Sequence, residues 1–141
     1  MGDSWVGAWA SRIGDGDRVS GPPAWFEGSV ELQALVESEA TKQLAVFFEP
    51  GARTRPHVHS GDQLLICHSG EGVAAIYDEA TGVDAARRIG PGDVVRIPAH
   101  TWHWHGATRS SAMCHISIQP VDAVTTWDDM EPRDWSDYRE G

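Results

Sequence analysis

The sequence predicts an all-β domain, a sandwich or barrel of short strands, and two observations carry that expectation. Short apolar segments recur along the 141 residues, and clusters of Gly, Pro, Ser, Asp and Glu separate them. Five of the seven histidines also fall in two strand-like, turn-flanked segments, and four of the five, His57, His59, His103 and His105, share parity, so alternation would place these on common faces of a sheet.

Residues 1–24, rich in Gly, Asp, Ser and Pro with Trp5 and Trp9 interspersed, predict an arm that packs by its aromatics. Strands are then expected at 29–36, 43–49, 56–59, 63–68, 72–78, 85–89, 93–97, 102–106 and 112–119. The turns between them include Glu49-Pro50-Gly51, Ser60-Gly61-Asp62, Ser69-Gly70-Glu71-Gly72, Glu79-Ala80-Thr81-Gly82 and Gly90-Pro91-Gly92-Asp93. From Asp122 a tail carrying Trp127, Met130, Trp135 and Tyr138 among acidic residues reads as one or two short helical turns that cover the barrel or a neighbouring subunit. One barrel over 25–121, an arm at 1–24 and a tail at 122–141 are therefore expected, a length that supplies one ordinary core.

The densest chemistry lies in the histidines. His57 and His59 are two apart and point to one face of a strand, and Gln63 shares their parity. The turn between lets the chain fold back, so a hairpin brings the Gln63 amide oxygen toward both imidazoles. A further ligand must come from the other histidine cluster, 98–107, where His103 and His105 share a face. His57, His59, Gln63 and His103 are accordingly the expected metal ligands. In the last strand, Met113, His115, Ser117 and Gln119 alternate with Cys114, Ile116 and Ile118. That polar face must meet either water or a pocket, and if it faces inward, His115 and Gln119 join His105 beside the metal. Leu44, Val46 and Phe48 share a face on an earlier strand and are candidate substrate-contacting walls, with plain core packing the stronger expectation for Phe48.

Composition narrows the partners. With 21 acidic and 11 basic residues the formal charge is −10, which repels phosphate backbones and anionic lipid surfaces, so neither nucleic acid nor membrane is expected. No apolar run approaches the about 20 residues a spanning helix needs, and Met1-Gly2-Asp3-Ser4 lacks the basic start of a signal peptide, so a cytoplasmic location is expected. Cys67 and Cys114 lack metal or redox spacing and read as reduced thiols in the barrel wall, although Cys67 shares the parity of Gln63. Trp102 and Trp104 have the opposite parity to His103 and should face away from the metal. Seven tryptophans offer more aromatic area than one small barrel obviously buries, which points to a homo-oligomer, a dimer or tetramer.

These residues resemble the cupin superfamily, whose fold is a double-stranded β-helix or jelly-roll barrel. Gly51, His57, His59, Gln63 and Gly70 fall on its first motif, with Gln63 where glutamate is usual. Gly92, Pro98 and His103 fall on the second, with His100 in place of a glycine, which suggests a left-handed turn residue. The stretches Gly21-Pro22-Pro23-Ala24-Trp25-Phe26, Phe48-Glu49-Pro50-Gly51-Ala52-Arg53-Thr54, Gly90-Pro91-Gly92-Asp93-Val94-Val95 and His103-Trp104-His105-Gly106-Ala107 are similar to small bacterial monocupins related to carboxymuconolactone decarboxylase. That group includes manganese-dependent hydroxynitrile lyases. The resemblance implies that His105 and His115 flank the metal as catalytic groups, and that the metal is manganese or iron.

Three neutral imidazoles and a neutral amide would leave a divalent cation its full charge, making it a stronger Lewis acid than with glutamate present. Such ligands suit Mn, Fe, Co, Ni or Zn without choosing among them. The first expectation is a lyase that reversibly cleaves a cyanohydrin, with His105 as acid and base, His115 holding or protonating cyanide, and Gln119 donating a hydrogen bond to the substrate. An iron oxygenase acting on an enolate, diketone or catecholate is the second, and a cupin that binds a small molecule without turnover the third.

Overall fold

A computed structural model describes residues 9–36, 38–78 and 80–127. Among these residues lie thirteen strands: β1 (Val19–Ser20), β2 (Phe26–Glu27), β3 (Val30–Ala34), β4 (Thr41–Phe48), β5 (Arg53–Thr54), β6 (His57–His59), β7 (Gln63–Gly70), β8 (Gly72–Asp78), β9 (Val83–Ile89), β10 (Val94–Ile97), β11 (His103–Ala107), β12 (Met113–Pro120) and β13 (Thr125–Trp127). One sheet runs β1-β3-β4-β12-β7-β10. In the other, β11 pairs with β8, which pairs with β9, while β6 and β5 lie along the opposite side of β11 and are extended by β13 and β2. All pairings are antiparallel, and the two curled sheets make a jelly-roll barrel.

Alternation puts one side of β4 and β12 inside. Val46 and Phe48 are buried from β4, and Met113 and His115 from β12. At one end of the interior, Phe26, Val30, Phe48, Cys67, Ile89 and Met113 form an apolar plug. Cys67 belongs to this plug rather than to the pocket, and both cysteines are free thiols. Gly70 sits where β7 turns into β8, at φ 77°, and a Cβ there would overlap the Ala112 carbonyl.

The arm is held differently from expectation. Trp9 is exposed, and Trp5 lies outside the described residues. Instead, the buried Gln33 amide accepts the Gly14 N–H at 2.7 Å and donates to the Arg12 carbonyl at 2.9 Å, while β1 joins β3. A single satisfied amide thus anchors a segment that offers little apolar surface to bury.

The tail also differs at its start. Residues 125–127 form β13 against β6, not a helical turn, and Met130, Trp135 and Tyr138 lie outside the described residues. β5 and β13, of two and three residues, carry no apolar alternation of their own, so only their partners define them. Trp104 faces away from the histidines, as parity requires, and is buried within its own chain against Val73, Ala75 and Ala86. The Arg53 guanidinium lies 5.3 Å from its ring centroid.

Candidate metal centre

The two strands that bear the ligand histidines are neighbours. His57 of β6 pairs directly with His103 of β11, and His59 follows His57 on the same face. Ring centroids are 4.2 Å apart for His57 and His103, 4.8 Å for His57 and His59, and 5.1 Å for His59 and His103. Their candidate ligand atoms all lie within 4.8 Å of one another, so these three histidines can hold a metal ion.

The hydrogen bonds fix which nitrogen each ring presents. His57 Nδ1 lies 2.8 Å from the Arg55 carbonyl and His103 Nδ1 2.9 Å from the Thr101 carbonyl. A carbonyl only accepts, so each Nδ1 carries the proton and each Nε2 of the neutral ring presents a lone pair. His59 Nδ1 bonds Thr125 Oγ1 at 2.8 Å, leaving its buried Nε2 without a hydrogen-bond partner.

Gln63 approaches these rings from the facing sheet, because β6 and β7 pair in different sheets and do not form the expected hairpin. Its Nε2 donates to Ser117 Oγ at 2.7 Å, which turns Oε1 inward to 3.2 Å from His103 Nε2. Two lone pairs facing each other at that distance repel unless a cation lies between their owners. Four neutral donors therefore converge, each oriented by a partner behind it, and this donor set fits a divalent transition metal.

Burial keeps these rings neutral. It pushes His57 well below the ordinary imidazole value, helped by the charges His103 and His59 would carry, and it lowers His103 to about 3. His59 is lowered by burial as well. Neutral imidazoles are the form that ligates.

His105 and His115 stand apart from that set but next to it. His105 follows His103 on β11, and its backbone N–H donates to Thr54 Oγ1 at 3.1 Å. His115 Nε2 lies 2.9 Å from His105 Nδ1, so one of those two atoms carries a hydrogen and the other accepts it. Burial lowers His115 to about 4, while burial and the neighbouring His115 take His105 well below its usual value. His105 Nε2 and His115 Nδ1 are buried without partners.

A cavity of about 150 Å³ opens onto both groups. Trp25, Phe26, Leu32, Leu44, Val46 and Trp127 make its apolar walls, and Gln119, Ser117 and Lys42 a polar side. Phe48 is not one of the walls: it is almost fully buried behind the histidines, its ring centroid 5.2 Å from His115 and 6.2 Å from His105. Its position in the plug, two residues along β4 from Val46, removes it from the opening.

Sequence reading missed Thr125, and gave Trp127 only as part of a tail covering the barrel or a neighbouring subunit. Trp127 stacks on His57 at 4.4 Å and on Trp25 at 5.5 Å. It also missed Asp62, whose carboxylate accepts the Ala99 N–H at 2.9 Å and the Arg96 guanidinium at 3.1 Å. Asp62 thereby ties the turn before Gln63 to the loop before His103. His100 in that loop has φ 64° and donates its N–H to the His59 carbonyl at 2.8 Å.

Comparison with known proteins agrees with this architecture. The Cupin domain family matches residues 45–118, more than half of the chain, which therefore belongs to the cupin family. A relative from Granulicella tundricola, named (R)-mandelonitrile lyase, is 40% identical over 111 residues, covering 77% of this chain and 81% of its own. A cupin-like protein from Thermotoga maritima is 32% identical with a TM-score of 0.75, over 89% of this chain and 94% of its own. A cupin superfamily protein from Desulfitobacterium hafniense is 25% identical with a TM-score of 0.57, over 68% and 81%. A metal-dependent cupin enzyme is the function class that these findings and the histidine cluster support. Among the described residues no helix is long and apolar enough to cross a membrane.

Proposed function

We propose that the chain is a metal-dependent lyase of the hydroxynitrile type, cleaving a cyanohydrin reversibly to an aldehyde and cyanide. The observation that carries this reading is the His105–His115 pair, hydrogen-bonded at 2.9 Å beside three converging histidines and the Gln63 amide oxygen. The 40% identity to a protein named (R)-mandelonitrile lyase supports it. Manganese is the metal favoured here, with iron next and cobalt, nickel or zinc compatible with the same donors. Bound by His57, His59, Gln63 and His103, it would supply Lewis acidity that lowers the pKa of a substrate hydroxyl.

The residues then divide the work. His105 takes the hydroxyl proton at Nε2, which requires that its Nδ1–H be donated to His115 Nε2. As the carbonyl forms, the carbon to cyanide bond breaks and cyanide leaves with the electron pair. The proton held at His105 passes to it, giving hydrogen cyanide, and the reverse sequence adds cyanide to an aldehyde. His115 holds the tautomer of His105, and Gln119, on the cavity's polar side, orients the substrate.

The test is reconstitution with manganese and, separately, with iron, followed by a mandelonitrile cleavage assay. Manganese-dependent release of benzaldehyde is the expected result. His105→Ala should lower the rate by at least about a hundredfold, the usual weight of a general acid or base, with metal content unchanged. Oxygen uptake by the iron form with an enolisable diketone, and no cleavage, would instead assign the chain to the oxygenases.

A further inference from the structure

Among the described residues, no Asp or Glu lines the cavity, although the chain has 21 acidic residues and a formal charge of −10. The one charged side chain on its lining is Lys42. No ion pair within the described residues engages its ammonium. Lys42 shares the inward face of β4 with Leu44, Val46 and Phe48, and it stands where that face reaches the barrel mouth.

The register fixes where Lys42 stands relative to the ligand set. Lys42 pairs with Gln119 on β12, and Ile118 pairs with Leu64 on β7, which brings Gln119 alongside Gln63. Lys42 and the ligand Gln63 are thus level in the sheet and two strands apart, about 10 Å between Cα atoms at the usual interstrand spacing. Between them lies Gln119, whose Oε1 is buried without a partner. The opposite wall is apolar, with Trp25 and Trp127.

We propose that the mouth is a carboxylate subsite: the native substrate carries, on a short apolar or aromatic body, a carboxylate that Lys42 binds while its hydroxyl lies by His105. This rests on the metal-centre reading above and names its substrate class. Several bonds must separate the two groups, because Lys42 and the ligand set stand on different strands. A cavity free of carboxylates in an acidic chain offsets the repulsion that such an anion meets at the outer surface. A neutral cyanohydrin leaves that lysine unused.

Calorimetric titration of the manganese-loaded protein with 4-(hydroxymethyl)benzoate and with benzyl alcohol tests this, because the two differ only in the carboxylate. The benzoate should bind at least about tenfold more tightly, the preference shrinking as salt rises. Lys42→Gln should bring the two ligands to within about twofold, and Lys42→Arg should restore the preference. A preference that survives Lys42→Gln, or equal affinities in the unsubstituted protein, would overturn the subsite. Because the titration reads binding, a protein that shows the preference and fails to cleave mandelonitrile loses the lyase reading and keeps this one.

Discussion

The two ends of the barrel interior are built from the same strands and do opposite things. Inward side chains on β4 run Phe48, Val46, Leu44, Lys42, and on β12 Met113, His115, Ser117, Gln119, row against row. At the Phe48 and Met113 end the interior is closed, and both side chains are almost wholly buried. At the other end polar atoms of His59, His105, His115 and Gln119 are buried without partners. Such atoms cost stability, of order 1–3 kcal/mol for each unsatisfied group, and a chain selected for stability alone would fill these positions with Leu or Val. The closed end stabilises the barrel that the open end strains.

The sharpest way to break this contrast is at the open end. His103→Ala removes a ligand held between Gln63 and the Thr101 carbonyl, so manganese binding and cleavage should both disappear while the barrel stays folded. Metal analysis with circular dichroism reads both. An unfolded variant would mean that the histidine belongs to the core, and retained metal would remove it from the ligand set.

Phe48→Ala should do the reverse. It opens a void in the plug, and truncations of this kind cost about 3–5 kcal/mol, read as a lower denaturant midpoint. The metal should still bind, because no ligand touches the lost ring. His115, against which that ring packs, should become easier to protonate as water reaches it, which a histidine-resolved NMR titration measures.

A gentler probe is acid. Burial holds His103 at about 3 and His115 at about 4, against the roughly 6.5 of an imidazole in an unfolded chain. Between those values the unfolded chain binds protons that the folded one refuses, so stability is full above about pH 7 and is lost as pH falls through 6.5 toward 4. Each such histidine contributes a slope of up to ~1.4 kcal/mol per pH unit. Thermal unfolding in chelator at pH 7.5, 6 and 5 should show a falling midpoint, and a flat profile would contradict neutral, buried rings.

How much of this was legible in the sequence follows from period and length. The H-x-H spacing survives translation into structure because a strand alternates strictly, so His57, His59, Gln63, His103, His105 and His115 could be placed on faces without coordinates. The same alternation put Leu44, Val46 and Phe48 on one face, but it could not show that Phe48 lies behind the cavity, because depth along a strand is set by where the sheet closes. The groups that orient the ligands were harder. Thr125 and Trp127 lie on a three-residue strand too short to show a pattern, and they reach β6 only through the closure of the second sheet. Asp62 sits in a turn where an aspartate is common, so its bond to Ala99 across 37 positions left no mark on composition.

The strand at residues 125–127 also orders events in time. The turn from β6 into β7 is local, whereas the bond from His59 to Thr125 spans 66 positions and closes one of the longest loops in the barrel. A chain emerging from the ribosome therefore displays two ligand histidines well before it has made the residues that orient one ring and cover the other. Loading a metal onto a fully supported site must wait for β13.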